Sequence, residues 1–410
     1  MKDKINYNLE ALRGFCALAV VFYHLTLYNY IFNSNPYPFI IADIDPPGHF
    51  SVLIFFMLSG LVIGMNHKER LSGNGILWYL KKRFVRIYPI YIIAVLMTVI
   101  VASKVQFMQV FYNSIFVQNI CSDTMPENTP LWSLNYEMFY YLLFIAISYF
   151  EINGVFVLIF AILGGFLNTY YSGLPILSSY LFGFTFWIGG LIISKLPNTQ
   201  FKITPNKLLA TLIFVFAVNT LLKDQNFLSR SAFALLGGSF SYSPHQWCGK
   251  VAITLDQLKY LPFCFGIVYV FSQKWLKYQK ILLGALYILL LCYIGQHFVF
   301  HGYSPFFFVG TCYYFISGLL YYVRFPSFST YLVKILMWFG SISYGIYLVH
   351  FPLLFVFQKV QVSSAYLYWI KVFLYLSTVI ALSWLLEKKL QAKAKKLFFK
   401  SKIKVGTQNP

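Results

Sequence analysis

Apolar runs long enough to cross a lipid bilayer recur from Asn8 to Glu387, leaving no room for a sizeable water-soluble domain between them. A spanning helix needs about 20 mostly apolar residues. Twelve runs fit: residues 8–28, 50–66, 88–103, 137–150, 154–171, 177–194, 207–222, 251–271, 281–298, 305–322, 335–357 and 366–386. Only 11% of the 410 residues are charged and 59% are hydrophobic, against about 25% charged in soluble domains. The expected fold is an all-α polytopic membrane bundle of about 10–12 helices. Residues 1–387 form the transmembrane domain and residues 388–410 a basic tail that attracts anionic headgroups.

The net charge of +20 does not point to nucleic acid, because the basic residues fall in short clusters between apolar runs. With the N-terminus inside, twenty-four lysines and arginines fall in inner segments and only Lys104, Lys223, Arg230, Lys250 and Lys359 in outer loops. That asymmetry sets both termini in the cytoplasm. Residues 1–4 supply charge, but the run behind them holds Arg13 and no A-x-A cleavage site, so it stays as the first span. Six cysteines follow no metal spacing and no metal site is expected; Cys121 and Cys248 lie in outer loops, where a disulfide between them is one open alternative.

The first run carries three titratable groups that a bilayer makes costly, Glu10, Arg13 and His24. Eleven steps of about 100° return nearly to the starting face, so Arg13 and His24 share one side of a helix, about 16 Å apart along its axis. An imidazole at that depth serves as a general base or as a nucleophile toward an activated acyl group; packing through a hydrogen bond is the plainer alternative.

Arg83 and Arg86, three apart in KKRFVRIYPIY, project side by side from the inner end of the third span and can clamp a phosphate. A topology signal explains the same charges equally well. In PLWSLNYE, Glu137 opens the fourth span from outside, either as an N-terminal dipole partner or as a carboxylate orienting an acceptor hydroxyl, with Trp132 as a face for a sugar ring and Ser133 beside it. In SISYGIYLVH, Ser343, Tyr347 and His350 make a polar stripe next to Tyr344, which helix–helix hydrogen bonding also explains. Ser59 in FFMLSG marks close helix approach, and His49, His67, His245, His297 and His301 receive no role.

Taken in order, LRGFCALAVVFYH (an Arg-x10-His pattern), FFMLSGLVIG, RFVRIYP, PLWSLNYEMFYY, SYGIYLVHFPL and the closing Leu-Leu-Glu at Glu387 resemble the acyltransferase 3 family of membrane acyltransferases. Lys389 stands where that family often has proline, and no appended extracytoplasmic hydrolase-like domain is expected. The resemblance implies transfer of an acyl group, most often acetyl from acetyl-CoA as substrate with no bound cofactor. The implied acceptor is a hydroxyl of O-antigen, exopolysaccharide, capsule or peptidoglycan sugars, or a lipid-linked precursor, at a bacterial cytoplasmic membrane. It places His24 and Glu137 at the chemistry, Arg13, Arg83 and Arg86 on the donor, and Trp132, Ser133, Tyr344 and His350 around the acceptor. The rival is a transporter or flippase of envelope glycans using His24 and Glu137 as a proton relay. Such carriers often show repeat symmetry, and this sequence has no internal repeat.

Overall fold

A computed structural model describes residues 7–33, 45–171, 173–198, 203–237, 252–300, 302, 304–323 and 325–399. Cys248, His245, His301 and residues 400–410 lie outside them. The described residues form an all-α bundle with no strand. Its principal helices are α1 (Tyr7–Leu27), α2 (Gly48–Asn66), α3 (Asn74–Val101), α4 (Trp132–Tyr149), α5 (Gly154–Tyr170), α6 (Pro175–Lys195) and α7 (Pro205–Leu222). They continue with α8 (Leu261–Ser272), α9 (Gln279–Phe300), α10 (Pro305–Tyr322), α11 (Pro326–Gly340), α12 (Ser343–Gln358), α13 (Ala365–Trp384) and α14 (Gln391–Phe399), the last two joined through a π-helical turn, Leu385–Leu390.

Among the described residues, seven helices are long and apolar enough to cross a membrane, or eight if the bent pair α10 and α11 is one span. Two of the twelve expected spans are broken. The run 251–271 divides into a 3-10 turn, Leu255–Tyr260, and the 12-residue α8, because Thr254 and Gln257 form a capping box that starts a helix in mid-run. The run 335–357 breaks at Ser341–Ile342 into α11 and α12. The apolar surface of α9, including Ile281, Ile288 and Leu289, is exposed, as a lipid-facing helix requires.

Small residues set the tightest crossings. A Cβ on Gly60 of α2 would lie 1.9 Å from the Trp187 carbonyl oxygen of α6, and one on Gly190 of α6 would lie 1.8 Å from the Met57 oxygen of α2. The same reciprocity joins α1 to α11: a Cβ on Gly14 meets the Leu336 oxygen at 2.0 Å, and one on Gly340 meets the Glu10 oxygen at 1.9 Å. Backbone cannot yield as a side-chain tip can, so Gly190→Val is expected to cost at least ~1–3 kcal/mol. It should appear as a lowered thermal midpoint of the purified protein, and an unchanged midpoint would contradict this packing.

The segment expected as an open outer loop is folded into the bundle. Gln118, Asn119 and Asn128 are fully buried. Gln118 Nε2 donates to the Leu131 carbonyl at 2.9 Å, Asn128 Nδ2 donates to Thr98 Oγ1 at 3.1 Å, and Asn135 Nδ2 donates to the Phe116 carbonyl. The 3-10 turn Pro126–Leu131 packs on α12 and delivers the chain into α4 at Trp132. Glu137 therefore lies in the second turn of α4, facing α2, and not at the mouth of an outer loop.

Candidate active site

The helix ends that carry the basic clusters surround a cavity of about 1060 Å³. Its walls come from α1 (Glu10, Arg13), α2 (Phe55, Ser59), α3 (Lys82, Arg83, Arg86), α4 (Ser133, Glu137, Tyr141), α12 (Ser343, Tyr344, Tyr347) and the segment from Glu387 to Phe399. Seven cationic and three anionic side chains line it, leaving a surplus of four positive charges. Arg13, Arg83, Arg86, Glu137, Ser133 and Tyr344 are thus brought to one space, although sequence reasoning put Glu137 on the opposite side of the membrane from the arginines.

The three arginines differ in what they have left to bind. Arg13 Nη1 is 2.5 Å from Glu10 Oε1, one turn back on α1. Arg86 is held in a fork by Glu387, with Nη1 to Oε2 at 2.7 Å and Nη2 to Oε1 at 3.3 Å. Arg83 has no ion pair among the described residues; its Nε is buried without a hydrogen-bond partner, and its guanidinium lies 5.7 and 5.8 Å from the ring centroids of Tyr79 and Tyr141. The two arginines are therefore not equivalent: Arg86 ties α3 to the C-terminal segment, and Arg83 lines the cavity without an ion pair among the described residues.

Deeper in, Glu137 Oε1 accepts from Ser59 Oγ at 2.7 Å and from the Tyr141 hydroxyl. Tyr344 donates to the Ile87 carbonyl at 2.9 Å. The floor is Tyr347, whose hydroxyl is 2.7 Å from Ser133 Oγ and donates to the Pro130 carbonyl at 2.9 Å. Trp132 is not part of this space. It stacks on His49 at 6.0 Å and meets Phe56 and Tyr136 edge-on, so it is packing rather than an open platform.

His24 and His350 lie beyond the floor. His350 is three residues past Tyr347 on α12, about 4.5 Å further along the axis, and their ring centroids are 6.1 Å apart. His350 Nδ1 is 3.1 Å from the Ile346 carbonyl, and His350 Nε2 is 3.1 Å from His24 Nδ1. A carbonyl can only accept, so Nδ1 of His350 carries hydrogen. In the neutral ring its Nε2 then holds a lone pair, which takes the hydrogen of His24 Nδ1. The consequence is a His24 whose Nε2 is left as a base. Among the described residues no hydrogen bond joins His24 to Glu137.

The profile of the acyltransferase domain named acyltransferase 3 matches residues 6–222 and 201–388. The chain belongs to the acyltransferase 3 family. It is similar to the acyltransferase MdmB of Streptomyces mycarofaciens, 26% identical over 150 residues, which is 33% of this chain and 38% of that protein. No solved structure matches the chain.

Within this acyltransferase 3 bundle, the two ends of the Arg-x10-His pattern meet different surroundings: Arg13 lines the cavity, and His24 is not in its lining but 3.1 Å from His350 Nε2. Sequence reasoning missed Ser59 and Tyr141 as partners of Glu137, and Lys388 and Lys395 as part of the wall. Tyr141 lies one turn after Glu137, a spacing that could have found it. The tail lysines carried no such signal, since any basic tail reads as headgroup attraction.

Proposed function

We propose that this acyltransferase 3 protein transfers an acyl group, in the first instance acetyl from acetyl-CoA, to a hydroxyl of an envelope polysaccharide or its lipid-linked precursor at a bacterial cytoplasmic membrane. The observation that supports it most is the sequence of environments along one line: a cationic mouth, an apolar and tyrosine-rich throat, and an imidazole with a free lone pair one turn beyond it. A polyanionic carrier with a long neutral arm fits that order. Its phosphates meet Arg83 and the lysines of α3 and the C-terminal segment, and amide groups of the arm find Glu137, Ser59 and Tyr141. The thioester reaches His24 past Tyr347.

His24 Nε2 then removes the proton of the acceptor hydroxyl. The alkoxide oxygen bonds to the thioester carbonyl carbon, the carbon–sulfur bond breaks, and the proton passes from His24 to the departing thiolate. His350, accepting the His24 Nδ1 hydrogen, is a positioning residue that fixes which nitrogen does this. Recovery of an acyl-histidine adduct on His24 would replace the base mechanism with a two-step transfer.

Comparison of envelope glycans from cells with and without the gene, by mass spectrometry, tests the reaction; an unchanged acyl content would refute it. Arg83→Ala is expected to raise the KM for the acyl donor about 10–100-fold, the worth of a charge-assisted hydrogen bond. Its kcat should hold within about twofold, because the interaction is made equally before and during the chemistry. A fall in kcat at unchanged KM would remove Arg83 from the donor site.

A further inference from the structure

A second cavity, about 550 Å³, lies where α2, α4 and α6 reach their C-terminal ends, beside the segment that follows α8. Lys68, Arg70, Lys195 and Lys274 line it together with Glu69, Glu151 and His67, which leaves a surplus of two positive charges with the imidazole neutral. Lysines just past helix C-termini are ordinary, since the carbonyl ends of helices favour cations. Such lysines normally run their ammonium out to water. Lys274 does the reverse: it is 7% exposed and turned into the pocket. Among the described residues it has neither an ion pair nor a hydrogen-bond acceptor for its ammonium.

Burial and the nearby Lys68 cation push the Lys274 ammonium below the usual lysine range. The neighbouring His67 Nε2 is also buried without a partner. Burial, with Arg83 and Lys82 adding to it, holds that imidazole down to about 4, so at neutral pH it can offer an N–H rather than a charge. Two converging lysines and an unused imidazole donor form an arrangement that lacks its counter-ion. The pocket is at the basic end of the bundle, the level at which phospholipid phosphates stand when that end faces the cytoplasm.

We infer that this pocket is a binding site for a phosphate-bearing anion, held by Lys274, Lys68, Lys195 and the His67 ring. The two sources of that chemistry are the headgroup of an inner-leaflet anionic lipid and a soluble phosphate. The inference does not depend on the acyl-transfer reading, because none of these residues lines the larger cavity.

Native mass spectrometry of the full-length protein in detergent, with added phosphatidylglycerol or phosphatidylcholine, separates the outcomes when paired with thermal melts in inorganic phosphate. Retention of phosphatidylglycerol but not phosphatidylcholine, reduced about fivefold by each of Lys274→Gln and Lys195→Gln, identifies a lipid headgroup. Stabilisation by inorganic phosphate that both variants abolish, without lipid retention, identifies a soluble phosphate. Lys195 is exposed, so its variant keeps the test valid if Lys274→Gln misfolds. Lys334→Gln, in the other cavity, should retain lipid as the unaltered protein does. Equal retention and equal melting by the unaltered protein and Lys195→Gln would overturn the site.

Discussion

Replacing His24 by alanine is expected to lower acyl transfer about 10²–10⁴-fold, the usual worth of a positioned general base, with the donor KM little changed. The prediction follows from depth. His24 is not among the residues that line the cavity with the cationic groups, so its removal is expected to take away chemistry and leave donor binding. His350→Phe should show the same signature at smaller size, about tenfold or more in kcat, because the His24 tautomer is no longer dictated. His350→Gln restores an acceptor oxygen and should recover part of the rate. A merely structural role for His350 would give no such recovery, and a His24→Ala protein that transfers at the normal rate would end the assignment.

The second large effect concerns stability. Arg86 and Glu387 are paired, but unequally wet: the arginine side chain is 41% exposed and the glutamate 4%. Arg86→Met strands a buried carboxylate and should cost about 3–5 kcal/mol. Glu387→Met leaves an arginine that water can reach and should cost only about 1 kcal/mol. The double variant, with neither charge, should return to within about 1 kcal/mol of the unaltered protein. Unfolding of the four proteins in one detergent measures the cycle. If Arg86 were instead a direct donor clamp, Arg86→Met would raise the donor KM as Arg83→Ala does and leave the unfolding midpoint alone.

The periodicity of the first apolar run correctly set Arg13 and His24 along one helix, because a face is a local property of 3.6-residue geometry. Hydropathy likewise yielded the all-α bundle. Glu137 was misplaced for an equally physical reason. Polar residues such as Gln118 and Asn128 read as solvent-exposed, and only their partners Leu131 and Thr98 reveal that they are buried. The Arg86 partner lies 301 residues away, a distance no spacing rule spans. The break at Ser341–Ile342 falls in Gly340-Ser341-Ile342-Ser343, small and polar residues that a hydropathy reading of 335–357 as one span passes over. The break near Leu255 was legible, since Thr254 and Gln257 spell a helix start.

The Tyr347 floor has a bearing on the membrane itself. A protein that hands a group from one aqueous compartment to another risks becoming a leak for ions. Here the tyrosine, clasped to Ser133 and the Pro130 carbonyl, lines a cavity whose wall does not include the imidazole pair. If transfer takes place as proposed, Tyr347 need yield only to the acyl arm, so the cargo would cross as a covalent passenger while ions would find no open path.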